Sequence, residues 1–193
     1  MQGTFVRTFI AIDLEPGLKT ALQGIIRALK TTGADVRWAQ TNALHLTLKF
    51  LGEIDEEKSA VVKRTLQEVA GRHASFPLRL EGTGAFPGEH NPRVLWAGFA
   101  AEPGLLAFQD ELERELEREG FPREERAFHP HLTLGRVKGP GRVREAMLEL
   151  EKHRRDSLGE MTVHRCALFE SRLRPEGAEY RVCLLYTSPS PRD

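Results

Sequence analysis

Only two cysteines, Cys166 and Cys183, occur in the 193 residues. They form neither a CxxC pair nor the framework of a secreted disulfide scaffold, so both are expected to be free thiols in a reducing compartment. An excess of one charge is also missing, because 28 lysines and arginines balance 28 aspartates and glutamates. No overall field then favours wholesale binding to nucleic acid or membrane, and an anionic ligand must be held by a local patch. There is no apolar run of membrane-spanning length, and the N-terminal MQGTFVRTFIAIDL is interrupted by Arg7 and Asp13, unlike a signal peptide. A cytoplasmic protein with no membrane segment is expected. Its length and 40% hydrophobic content support one real core, in one domain or two tightly coupled lobes.

Strand and helix signals alternate along the chain. Thr4 to Leu14 reads as a strand, and Pro16 sits where a helix to about Leu29 would begin. Arg37-Trp38 and Leu44 to Leu51 read as extended, and Asp55 is placed to cap a helix to about Ala70. Two strands, Phe76 to Thr83 and Val94 to Phe99, flank a loop containing Pro87, Gly88, Asn91 and Pro92. Leu105, Leu106, Phe108, Leu112 and Leu116 recur at helical spacing between Pro103 and Glu119, so the charges among them form a solvated helix face. After Pro122 the chain reads as extended through His129 to Val137, turns at Gly139-Pro140-Gly141, and is helical from Val143 to about Glu151. Met161 to Glu170 and Tyr180 to Leu185 close as strands, while YTSPSPRD has two prolines and no apolar periodicity. The order predicts an α+β fold of two similar halves, a single domain over 1–183, and a disordered or non-native tail over 184–193.

One signal stands apart from this background. His45-Leu46-Thr47-Leu48 is repeated identically as His131-Leu132-Thr133-Leu134. At average residue usage, seven histidines yield even one such tetrapeptide well under about one time in a hundred. A single HLTL is most simply an amphipathic strand; chance does not readily supply the matched pair.

On a strand, alternate side chains share a face, so His45 and Thr47 point one way and Leu46 and Leu48 the other. The two polar groups lie about 6.7 Å apart along the strand, close enough to converge on one phosphate group. In-line displacement at phosphorus needs a proton acceptor and a proton donor on opposite sides, and two facing strands supply one imidazole to each. An ordinary pKa near 6.5 lets one histidine be neutral while the other is protonated. The threonine hydroxyls can donate to the non-bridging oxygens. The spacing alone does not say which histidine is acid and which is base.

Taken with Arg37-Trp38, the stretch LHLTLKFLGE (44–53), PRVLW (92–96) and PHLTLGR (130–136) resembles the 2H phosphoesterase superfamily, in its RNA 2′,3′-cyclic phosphodiesterase branch, once named for 2′-5′ RNA ligase activity. The resemblance runs from about Phe5 to Val182. It implies a two-lobed, pseudo-symmetric α+β fold of antiparallel sheets with outer helices around a central cleft. It also implies cofactor-free hydrolysis of RNA ends or nucleotides bearing a 2′,3′-cyclic phosphate to 2′-phosphomonoesters. His45 would protonate the departing 3′ oxygen, His131 would activate water, and Arg136 would reach the phosphate as an arginine does at this place in the family. A monomer is expected. The chain after about Cys183 departs from the family pattern.

Several further residues have two readings. Lys49 shares the parity of His45 and could face the cleft, or it could be a solvated lysine at the strand end. Arg136 has the wrong parity for His131, but Gly135 could bend the strand and turn it toward phosphate. A zinc set of His45, His129 and His131 leaves the threonines unexplained and has no carboxylate or cysteine to complete it. Trp38 is a candidate for stacking a base, whereas Phe50 has the parity of the leucines and reads as core. His73, His90, His153 and His164 read as surface residues. Ligation of RNA halves, a small cyclic nucleotide as substrate, and a non-catalytic RNA-binding module are the competing functions; the last does not require two protonatable groups.

Overall fold

The computed structural model describes residues 6–174 and 177–187. The chain runs β1 (Val6–Asp13), α1 (Pro16–Thr31), β2 (Val36–Trp38), a 3₁₀ turn (Thr41–Ala43), β3 (His45–Ile54), α2 (Glu56–Arg72), β4 (Phe76–Phe86) and β5 (Val94–Phe99). It continues through α3 (Pro103–Arg118), β6 (His131–Val137), α4 (Val143–Glu151), β7 (Ser157–Val163), β8 (Arg165–Arg174) and β9 (Gly177–Thr187). Local chemistry explains the starts. Pro16 and Pro103 sit at the first turns of α1 and α3, where a missing N–H costs nothing, and Asp55 caps α2 by accepting from the Lys58 N–H at 2.8 Å.

Two antiparallel sheets result, one with the order β3-β1-β8-β9 and the other β2-β6-β5-β4-β7. Helix α2 contacts β9 and β8, α1 contacts β7, α4 contacts β4, and α3 spans the two sheets, touching both β4 and β3. The larger of two buried apolar clusters among the described residues draws on both sheets and all four helices, from Ile10, Leu46 and Leu66 to Leu95, Leu112, Leu132 and Leu150, and the smaller joins Phe9, Ala11, Ala167 and Phe169. This is the α+β architecture that the sequence implies, with one HLTL copy on each sheet.

Three stretches differ from their sequence reading. Residues 122–130 form no strand, and β6 begins only at His131. The run from Met161 to Glu170 is two strands, because the chain crosses at His164 from the five-stranded sheet, where β7 pairs with β4, to the four-stranded one, where β8 pairs with β1. A continuous run of strand formers carries no mark of such a crossing. Finally, β9 passes the Cys183 boundary of the expected tail and reaches Thr187 opposite Arg165, so residues 184–187 are strand; 188–193 lie outside the described residues, as do Thr4 and Phe5.

Candidate active site

Strand β3 is the edge of its sheet, and β2 covers β6 only from Gly135 to Val137. The His131 end of β6 is thus left open, and β3 and β6 contact each other at the junction of the sheets. In both strands the two leucines are buried in the common core, while His45, Thr47, His131 and Thr133 stay partly exposed. Because the four leucines enter one core, the two histidine–threonine pairs face away from it. The alternation expected of each HLTL is therefore present, and the strands that carry them meet.

The next two residues break the alternation in the same way in each copy. Ile10 and Ala11 of β1 pair with Lys49 and Thr47, skipping Leu48; Leu95 and Trp96 of β5 pair with Gly135 and Thr133, skipping Leu134. An extra residue in one strand is a β-bulge, and it inverts the faces of everything beyond it. Lys49 therefore turns inward, neither cleft-facing nor solvated, and its ammonium meets Glu113 Oε2 at 2.7 Å and the Pro122 carbonyl at 2.8 Å. Phe50 is not core, as parity suggested, but is 69% exposed on the His45 face. Arg136 is exposed on the face of His131 and Thr133, directly opposite Arg37 of β2. Trp38 is half-buried and packs on the core beside Gly135, where a Cβ would clash with its ring.

His45 sits in an aromatic recess. Its ring stacks on Phe9 at 4.8 Å and 24°, lies 5.6 Å from Phe169, and meets the edge of Tyr180 at 5.1 Å. Nδ1 is buried without a hydrogen-bond partner of standard geometry, the Asn42 backbone supplying only a weaker favourable contact. Burial is the largest influence on its pKa and pushes it from 6.5 down to about 4, against the opposing pull of Asp13. None of the three rings is near His45 in sequence, so no local pattern could have revealed them.

A stability consequence follows with a definite sign. The unfolded chain takes up the His45 proton near pH 6.5 and the folded one only near 4, so stability is intact above 6.5 and falls as the pH drops through that window. The loss amounts to about 3 kcal/mol at most. We expect His45→Gln to flatten the fall in urea-unfolding free energy between pH 6.5 and 4, and NMR titration of His45 to give a midpoint near 4. A midpoint near 6.5 would contradict the recess.

His131 is held differently. Its Nδ1 lies 2.6 Å from the His129 carbonyl, which can only accept, so Nδ1 carries the proton and Nε2 keeps its lone pair in the neutral ring. The ring also meets Phe86 edge-on at 4.9 Å. Beside it opens a cavity of about 1080 Å³ whose lining includes Phe86, Trp96, His90, Arg154 and Arg155. Trp96 lies flat across Gly84 and Gly98, and a Cβ at Gly84 would run into its ring. His90 thus borders the cavity, whereas His73 and His153 pair with Glu111 and Asp156 and His164 is exposed. Among the described residues, no three histidine, cysteine, aspartate or glutamate side chains are grouped to hold a metal ion. His129 serves through its carbonyl.

The family described as the 2′-5′ RNA ligase superfamily matches residues 18–174. An RNA 2′,3′-cyclic phosphodiesterase of Methanothermobacter thermautotrophicus is 35% identical over 176 residues, 91% of this chain and 95% of that one. One of Thermotoga maritima is 36% identical over 179 residues, 92% of each. A crystal structure of a Thermus thermophilus protein superposes with a TM-score of 0.80 at 29% identity, covering 96% of this chain and 100% of that one. Escherichia coli LigT complexed with 3′-AMP gives 0.71 at 27%, covering 95% and 98%. The chain belongs to the 2′-5′ RNA ligase superfamily of 2H phosphoesterases.

Proposed function

We propose that this protein is an RNA 2′,3′-cyclic phosphodiesterase that opens the ring to a 2′-phosphomonoester by acid–base catalysis between His45 and His131. The observation that carries the reading is the pair of contacting strands, each presenting one histidine and one threonine away from a shared core. Water would lose its proton to the free Nε2 of His131 and attack phosphorus, the 3′ O–P bond would break opposite it, and His45 would give its proton to the departing 3′ oxygen. Thr47, Thr133 and Arg136 would hold the non-bridging oxygens, with Arg37 adding positive charge, since two guanidiniums directly opposite each other repel unless an anion lies between them.

An acid with a pKa of about 4 holds few protons at neutral pH, so the role given to His45 needs a further step. A single negative charge about 4 Å away, at an effective dielectric constant of about 20, favours the imidazolium by about 4 kcal/mol, or about three pKa units. The bound phosphodiester would supply that charge. His45 would then be neutral in the empty site and protonated beneath its substrate.

RNA ends or nucleotides with a 2′,3′-cyclic phosphate are the proposed substrates, a monomer in the cytoplasm the proposed setting, and one bilobal domain that runs on through β9 to Thr187 the proposed organisation. We expect the purified protein to convert a 2′,3′-cyclic nucleotide to the 2′-monophosphate in excess EDTA, as none of these steps calls on a metal. Mass spectrometry with mapping of the phosphate position reads the outcome. A 3′-monophosphate, or activity lost to EDTA and restored by zinc, would overturn the reading.

A further inference from the structure

Like charges oppose each other at one place on the His131 face of the second sheet. Arg37 of β2 and Arg136 of β6 are direct partners in the antiparallel ladder, and both are exposed. Side chains so paired stand about 4.5–5.5 Å apart at Cβ, where like charges destabilise a sheet. Acids to relieve them are not scarce, since the chain holds 28, yet neither guanidinium meets a carboxylate among the described residues. The row continues across the sheet through Val94 and Phe86, which supply no anion. Strand β2 itself is only three residues long, and Val36 and Trp38 on either side of Arg37 pack on the core. This edge strand therefore exposes a single side chain, and that side chain is the surplus cation.

The inference rests on the reading above, in which the scissile phosphate lies between the histidines and Arg136 holds its non-bridging oxygens. A cyclic phosphodiester carries one negative charge, which the His45 imidazolium and Arg136 already share. Arg37 is then in excess for a lone nucleoside cyclic phosphate. An RNA end brings a second negative charge, the diester on the 5′ oxygen of the same ribose, which joins the last nucleotide to the chain. We infer that Arg37 is a specificity-determining residue that binds this preceding phosphate, so that the site favours a cyclic phosphate at the end of a chain over one on a free nucleoside. A guanidinium presents a planar fork of N–H donors that meets phosphate oxygens two at a time. Arg37 stands one strand spacing, about 4.8 Å, further out than Arg136 at the edge of the sheet, so the two cations face two successive phosphates without competing for one. Contacts of this kind recognise the chain and carry no information about its bases.

The test compares adenosine 2′,3′-cyclic phosphate with the same compound bearing a 5′-phosphate, using the wild type, Arg37→Gln and Arg37→Lys. Removing one of two opposed cations from an exposed edge leaves no cavity and relieves repulsion, so Arg37→Gln should melt no lower than the wild type. The wild type should favour the 5′-phosphorylated compound in kcat/KM by about 5- to 30-fold, mainly through KM, the range of one hydrogen-bonded charge pair. Arg37→Gln should lose most of that preference, with a much larger fall on the 5′-phosphorylated compound than on its partner, and Arg37→Lys should keep part of it. Added salt should erode the preference of the wild type and leave the ratio of Arg37→Gln almost flat. A wild type indifferent to the 5′-phosphate, a preference that survives in Arg37→Gln, or an equal loss on both compounds would overturn the inference. A wild type that opened neither would overturn the phosphodiesterase reading beneath it.

Discussion

Replacing either motif histidine by alanine is expected to lower turnover of a 2′,3′-cyclic nucleotide by about two to four orders of magnitude, the scale on which a general acid or base acts. The double variant should be little worse than either single one, because groups that act as a unit are not additive. Near-normal turnover in either single variant would remove that residue from the chemistry. The roles separate with a substrate whose 3′ oxygen is replaced by sulfur, since a thiolate departs without being protonated. If His45 is the acid, that substrate should largely rescue His45→Ala and leave His131→Ala impaired. Rescue of His131→Ala instead would reverse the assignment, an outcome that the low pKa of His45 in the empty site makes worth looking for.

The second large effect concerns stability. Lys49 and Glu113 are almost fully buried, and their contact is reinforced by the Pro122 carbonyl, which accepts from Lys49, and by Gln109, which donates to Glu113 Oε1 at 3.4 Å. Removing one partner of a buried pair strands the other charge, so Glu113→Ala should destabilise the protein by about 3–5 kcal/mol. For a chain of this size that lowers Tm by on the order of ten degrees. Replacing both, Lys49→Met with Glu113→Leu, should come much closer to the wild type, because no charge is then left unpaired. Denaturant unfolding of the three proteins measures this, and a single variant as stable as the double one would contradict it. Since the pair ties the β3 bulge to the segment that leads into His131, Glu113→Ala should also lose turnover at temperatures where it remains folded.

The elements were legible wherever one physical signal acted alone. Proline and aspartate marked the helix starts, leucine periodicity marked α3, and alternation placed His45 and Thr47 opposite Leu46 and Leu48. Legibility ended where tertiary pairing intervened. The parity rule assumes an unbroken ladder, so one bulge sufficed to misplace both Lys49 and Phe50, and Arg136 reached its face by a bulge at Leu134 instead of by a bend at Gly135. The crossing at His164 left no trace because the residues on either side of it, Met161 to Val163 and Cys166 to Phe169, read as one unbroken run of strand formers. The recess around His45 is assembled from Phe9, Phe169 and Tyr180, and distant residues brought together by folding show no spacing to read.

The strand order also sets when this protein can first work during its own synthesis. Phe9 waits for Phe169, which is translated much later, and the His45 recess is not walled until Tyr180 follows. Such pairing over long sequence separation is slow to form and is impossible while its partner is untranslated. A nascent chain with both HLTL copies already exposed still lacks the surroundings of one histidine. A chain truncated before β8 would carry both HLTL copies and still lack Phe169 and Tyr180, two of the three rings that wall the His45 recess.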